Sequence, residues 1–117
     1  MLMRARCRRA GMLLALVVGL CPDRAARADD PISIDVLLKD HHFTPAEIHV
    51  PSGRRVDLRV RNDDPIAEEF DSSALKTEKV IAGGSAATIH LRPLGPGRFP
   101  FMGEFHPDTA QGVVVSE

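Results

Sequence analysis

From Asp30 onward the chain is a succession of short apolar and β-branched runs set between turn residues, and no segment keeps a helical period for more than a couple of turns. Ile32 to Lys39 alternates and predicts a first strand; Asp40-His41-His42 interrupts it, and Pro45 to Val50 resumes an extended pattern. Pro51-Ser52-Gly53 then reads as a turn, with proline presetting φ and glycine supplying the positive-φ position. The run Arg55 to Arg61 has a strict period of two, which places Val56, Leu58 and Val60 on a core face and the charged residues outside. Further strands are predicted at Glu69 to Asp71, Thr77 to Ile81, Ala87 to Leu91, Arg98 to Phe101 and Gly112 to Val115. Seven or eight short strands at this spacing predict an all-β fold, a Greek-key β-sandwich.

The first residues do not share that pattern. Arg4, Arg6, Arg8 and Arg9 precede an apolar run from Gly11 to Cys21, and Ala26-Arg27-Ala28 follows it. The run is well short of the roughly 20 residues that a bilayer-spanning helix needs. Residues 1–28 therefore read as a secretory signal cleaved between Ala28 and Asp29, leaving one domain at 29–117 and predicting a periplasmic location. Cys21 after the apolar run would suit a lipoprotein signal, but Leu20 stands where such signals carry a small residue. Both cysteines, Cys7 and Cys21, fall within the signal, so the exported domain is expected to do without disulfides.

Removing the signal also changes the charge. The full chain has a formal net charge of -1, but beyond residue 28 the acids outnumber Lys and Arg by fifteen to nine. An acidic surface argues against nucleic acid and suits cations or a basic partner face.

In a sandwich whose strands run up and down, every second connection falls at the same end. The connections Asp40 to Thr44, Asn62 to Glu68 and Gly103 to Ala110 then share one pole, and Pro51 to Gly53 and Pro93 to Gly97 the other. The first pole, with the adjoining strand start, collects Asp40, His41, His42, Asp63, Asp64, Glu68, Glu69, Glu104, His106 and Asp108. Imidazole mixed with carboxylate suits ferrous iron, copper(II), manganese or zinc, and is a poor set for copper(I), which prefers sulfur. Met102 is the one soft donor beyond the signal, and its neighbours Phe99 and Phe101 favour packing beside the aromatics.

The ending Phe99-Pro-Phe101-Met-Gly103-Glu104-Phe105-His106, followed by Ala110-Gln-Gly112, resembles the copper-binding end of cupredoxins. It has their aromatics, His106 and Gly112, but Gly103 stands at the cysteine and Ala110 at the methionine. Phe43 to Gly53 and Asn62 to Phe70 extend the resemblance, with Glu68 or Glu69 where cupredoxins carry the first copper histidine. The resemblance implies the fold, while the missing thiol argues against a blue-copper centre. Glu69-Phe70-Asp71-Ser72, Glu78-Lys79-Val80 and the run from Glu104 to Gly112 are similar to the cysteine-less cupredoxin-like proteins that accompany bacterial high-affinity iron permeases. That similarity implies a role in iron acquisition, with an iron or copper ion as cargo or cofactor, a membrane iron permease as partner, and Glu69, Glu104 and His106 as site residues.

Glu68 and Met102 complete the candidate set, with one of the adjacent histidines, His41 or His42, since neighbours in a strand face opposite ways. Glu104 and His106 are two apart, so an extended segment would turn both toward one site and Phe105 into the core. His49 and His90 read as solvent-facing, and Asp63 and Asp64 as turn formers that cap their own backbone. Three functions compete: a metal carrier, a copper-dependent ferroxidase, and a metal-free interaction domain. The carrier leads, because no second redox site is visible in the chain.

Overall fold

The computed structural model describes residues 30–117, together with Gly11, Ala15, Val17 and Gly19. Apart from those four positions, the predicted signal at residues 1–28 and its expected cleavage point lie outside the described residues.

Among the described residues there are nine strands, eight of them where the alternation predicts them: β1 (Ile32–Lys39), β2 (His42–Thr44), β3 (Glu47–Val50), β4 (Val56–Asn62), β5 (Glu68–Ser72), β6 (Thr77–Ile81), β7 (Ala86–Leu91), β8 (Gly97–Gly103) and β9 (Gln111–Ser116). The strand beyond the seven or eight expected is β2. It arises because Asp40 and His41 make a two-residue turn that folds His42 to Thr44 back on β1, pairing Leu38 with Phe43. The chain then changes sheets across Pro45, and β3 lies parallel to β9.

One sheet has the order β2-β1-β4-β7 and the other β3-β9-β8-β5-β6. Both are mixed, since β1 runs parallel to β4 while β4 and β7 are antiparallel. Val36, Leu38, Val56, Leu58, Val60 and Ile89 fill the inner face of the first sheet. Ile48, Phe70, Ile81, Phe101 and Val114 fill that of the second. Phe101 is buried as expected, whereas Phe99 is only partly buried against the core.

Three phenylalanines form a floor beneath the polar pole. Phe70 and Phe101 stack with centroids 4.8 Å apart, and Phe43 meets Phe101 edge-on at 5.1 Å. Phe43 follows His41 by two residues, Phe70 follows Glu68 by two, and Phe101 precedes Gly103 by two. With a two-residue side-chain period, the apolar cluster carries Glu68 and Gly103 on the same inward face, one step nearer the pole.

Candidate metal centre

His41 comes from the β1–β2 turn, Glu68 from the first position of β5 and His106 from the β8–β9 loop. Their ligand atoms all lie within 4.8 Å of one another. Glu68 is only 2% exposed and shares the inward face with Phe70. Its Oε1 accepts the amides of Phe105 at 2.8 Å and Glu69 at 3.1 Å, and its Oε2 lies 2.6 Å from Nδ1 of His106. A carboxylate only accepts, so with Glu68 ionised His106 Nδ1 is the donor. His41 and His106 stack with centroids 3.6 Å apart and planes inclined by 12°.

The loop that presents His106 is a series of turns closed on itself. Gly103 donates to the Ala110 carbonyl at 2.7 Å, and the amides of His106 and Ala110 bond Gly103 and His106 carbonyls. Because residues 104–109 are not extended, Phe105 is 50% exposed instead of entering the core as the alternation suggested.

Asp64 reaches across to the β1–β2 turn. It is buried, and its two carboxylate oxygens accept the amides of Asp40 at 2.7 Å and His41 at 3.0 Å. The His41 amide bond holds its carboxyl below the ordinary range against the opposing effect of burial; the Asp40 amide and the imidazoles of His41 and His106 add to the lowering. The expected capping of its own backbone is therefore replaced by a long-range bracket, because Asn62 takes the local role. Asn62 is fully buried, accepts the Asp64 amide at 3.0 Å and donates to the carbonyls of Ile66 and Ile81. Asp63 instead accepts from Arg61 at 2.7 Å.

The remaining candidates fall elsewhere. Glu69 alternates to the outer face of β5, where burial of its carboxyl, then Glu104, Glu78 and Asp71, push its pKa up. The Glu104 amide bonds the Glu69 carbonyl at 2.8 Å, which ties the two acids into this outer patch. Met102 opposes Asp71 on the same outer face and is 41% exposed; it turns away from Phe101, so it does not pack among the aromatics. His42 bonds the Asp40 carbonyl in an exposed position. His49 and His90 face solvent, paired with Glu117 and Asp57.

Residues 10–116 match the family described as the cupredoxin-like domain. The chain belongs to that family. An uncharacterised protein of Rickettsia prowazekii (strain Madrid E) is 35% identical over 108 residues, covering 89% of this chain and 85% of that protein. Among solved structures, the chain is similar to the metal-binding domain, with Cu(I), of the Cu(I)-exporting P-type ATPase CopA of Streptococcus pneumoniae D39, at a TM-score of 0.65 and 16% identity over 73% of this chain and 84% of that one. It is also similar to auracyanin A, a blue copper protein of Chloroflexus aurantiacus, at a TM-score of 0.64 and 15% identity over 75% of this chain and all of that one. A purple cupredoxin of Nitrosopumilus maritimus gives a TM-score of 0.55 at 15% identity over 71% of this chain and 98% of that one. At these identities the likeness is one of fold.

The pole of this cupredoxin-like sandwich fits a borderline or hard divalent ion better than a soft one. A Cβ on Gly103 would come within 2.7 Å of both the Glu68 carboxyl carbon and the Ala110 Cβ. Glu68 thus fills the space into which a side chain at 103 would project, and Gly103 and Ala110 bring no sulfur to it. Two imidazoles and one carboxylate are a recognised donor set for ferrous iron. Metal–nitrogen and metal–oxygen distances of about 2.0–2.2 Å put two donors at most about 4.4 Å apart. The donor atoms lie within 4.8 Å of one another, so shifts of less than about 1 Å would set them around an ion, with the His106–Glu68 pair opening from its 2.6 Å contact.

Of two features that build the site, one is legible along the chain and the other is not. Glu68 shares the parity of Phe70, and that parity is a signal in the sequence for its inward position. The bracket from Asp64 to the turn 23 to 24 residues earlier has no such signal.

Proposed function

We propose that this cupredoxin-like protein is a periplasmic metal binder of iron uptake, in which His41, Glu68 and His106 hold an iron or copper ion for delivery to a membrane permease. The observation that carries the reading is the convergence of these three side chains, from three separate segments, at one pole. Carboxylate and imidazole donors leave coordination positions for water, which a carrier needs in order to release its cargo. The acidic patch of Glu69, Glu78, Glu104 and Asp71 would raise the local cation concentration at the neighbouring surface.

Titration calorimetry with copper(II), zinc and, without oxygen, ferrous iron tests the proposal. Saturable one-to-one binding supports it, and absence of binding below the millimolar range removes it. Oxygen consumption with ferrous iron would move the assignment to a ferroxidase.

A second reading, a metal-free interaction domain, has its own support. Among the described residues every buried side-chain polar atom has a hydrogen-bond partner, so the pole is satisfied as it stands. The same titration decides between the two.

A further inference from the structure

The β1–β2 turn is unusual in the residues it uses. Asp40 and His41 both have positive φ, at 50° and 59°. Two consecutive positive-φ residues joining antiparallel strands are the signature of a type I′ hairpin turn, for which Asn-Gly and Asp-Gly are the favoured pairs. Asp40 suits the first position, but a histidine stands where glycine is preferred. Side chains held in this region persist only where the surroundings over-determine them, and such residues cluster at functional sites.

The surroundings here are Asp64. Its carboxylate straddles the turn, with Oδ1 on the Asp40 amide and Oδ2 on the His41 amide, so both strained residues are held from one point. The same Oδ2 lies 3.5 Å from Nδ1 of His41. Asp64 is itself fixed, since its amide bonds Asn62 and the Asp63 amide continues the β1–β4 ladder onto Leu38 at 2.8 Å. The result is an imidazole laid flat on His106, 3.6 Å away.

We infer that Asp64 is a positioning residue: its carboxylate holds the His41 turn in the left-handed conformation that stacks His41 on His106 and presents it to the pole. The geometric part stands on its own, and the consequence for metal affinity rests on the metal-site reading above.

The test uses the metal-free protein first. In its NMR spectrum the ring protons of His41 and His106 should be displaced upfield by mutual stacking, with the exposed and distant His49 and His90 as internal references. Asp64→Ala should abolish that displacement for both rings while the two references hold. If the displacement survives in folded Asp64→Ala, Asp64 does not place His41 and the inference fails. Should Asp64→Ala not fold, Asp40→Gly added to it relieves one strained position without touching His41, and the same spectrum is read on the pair. Copper(II) titration supplies the second arm. Asp64→Asn should weaken binding about 10–100-fold, as loss of an orienting partner does, and should have no further effect in a His41→Gly background. Equal losses in both backgrounds would mean that Asp64 acts without His41 and would overturn the inference. Wild-type protein that shows the stacked rings and their loss in Asp64→Ala, yet binds no metal, would leave the positioning intact and remove the metal-site reading.

Discussion

The carboxyl group of Glu68 lies against the backbone of Gly103, so closely that a methyl group there would approach its carboxyl carbon to 2.7 Å. Glycine at 103 is therefore a condition for the 2.6 Å contact between Glu68 and His106. Gly103→Ala is expected to displace the Glu68 side chain and to destabilise the domain by about 1–3 kcal/mol, the usual range for overpacking. Urea unfolding measures the loss, and an unchanged midpoint would show that Glu68 can yield without strain.

Single substitutions separate the inner donor set from the outer acids. His41→Ala, Glu68→Gln and His106→Ala should each weaken copper(II) or zinc binding by more than about tenfold, since even partners outside the coordination sphere are worth that much. Glu69→Gln and Glu104→Gln remove only screened surface charges and should leave the affinity nearly unchanged. Calorimetry showing the reverse order would place the ion on the outer face of β5.

The pH dependence of stability carries two opposite signs. Asp64 has a folded pKa below its ordinary value of 3.8. The stability it contributes is present above that value and disappears as pH falls through the lowered one. Glu69 has a folded pKa above its ordinary value of 4.5, raised by burial and then by Glu104. Its contribution is favourable below 4.5 and is lost as pH rises through the raised value. Urea midpoints across the acid range should therefore fall less steeply for Asp64→Asn than for wild type, and Glu69→Gln should gain stability at neutral pH. A Glu69→Gln protein that is weaker at neutral pH would contradict the second sign.

Core truncation grades the two aromatics of β8. Phe101 is 3% exposed and packs on both Phe43 and Phe70, so Phe101→Ala should cost about 3–5 kcal/mol. Phe99 lies only partly within the core, and Phe99→Ala should cost distinctly less. Equal losses in urea unfolding would mean that Phe99 is packed more tightly than its burial indicates.

Much of the framework was legible in the chain because strand alternation is a local property. Val56, Leu58 and Val60 point inward because side chains two apart share a face, and every predicted strand formed within two residues of its expected bounds. The same parity bears on the site: Glu68 goes inward with Phe70, and Glu69 outward with Asp71. It misleads where the backbone leaves the extended region. An extended segment would turn Phe105 into the core, but residues 104–109 turn repeatedly, and the ring emerges into solvent.

Short-range periodicity and the alternating direction of successive strands were enough to outline eight of the nine strands of the sandwich, its inner and outer faces, and the gathering of nitrogen and oxygen donors at one pole. Which of those donors meet depends on tertiary packing. His41 reaches the pole through two left-handed residues braced by Asp64, His106 through a self-closed loop, and Glu68 through the space that glycine at 103 leaves open. Those relationships join segments tens of residues apart, and packing and hydrogen bonding in three dimensions set them, where no local period operates.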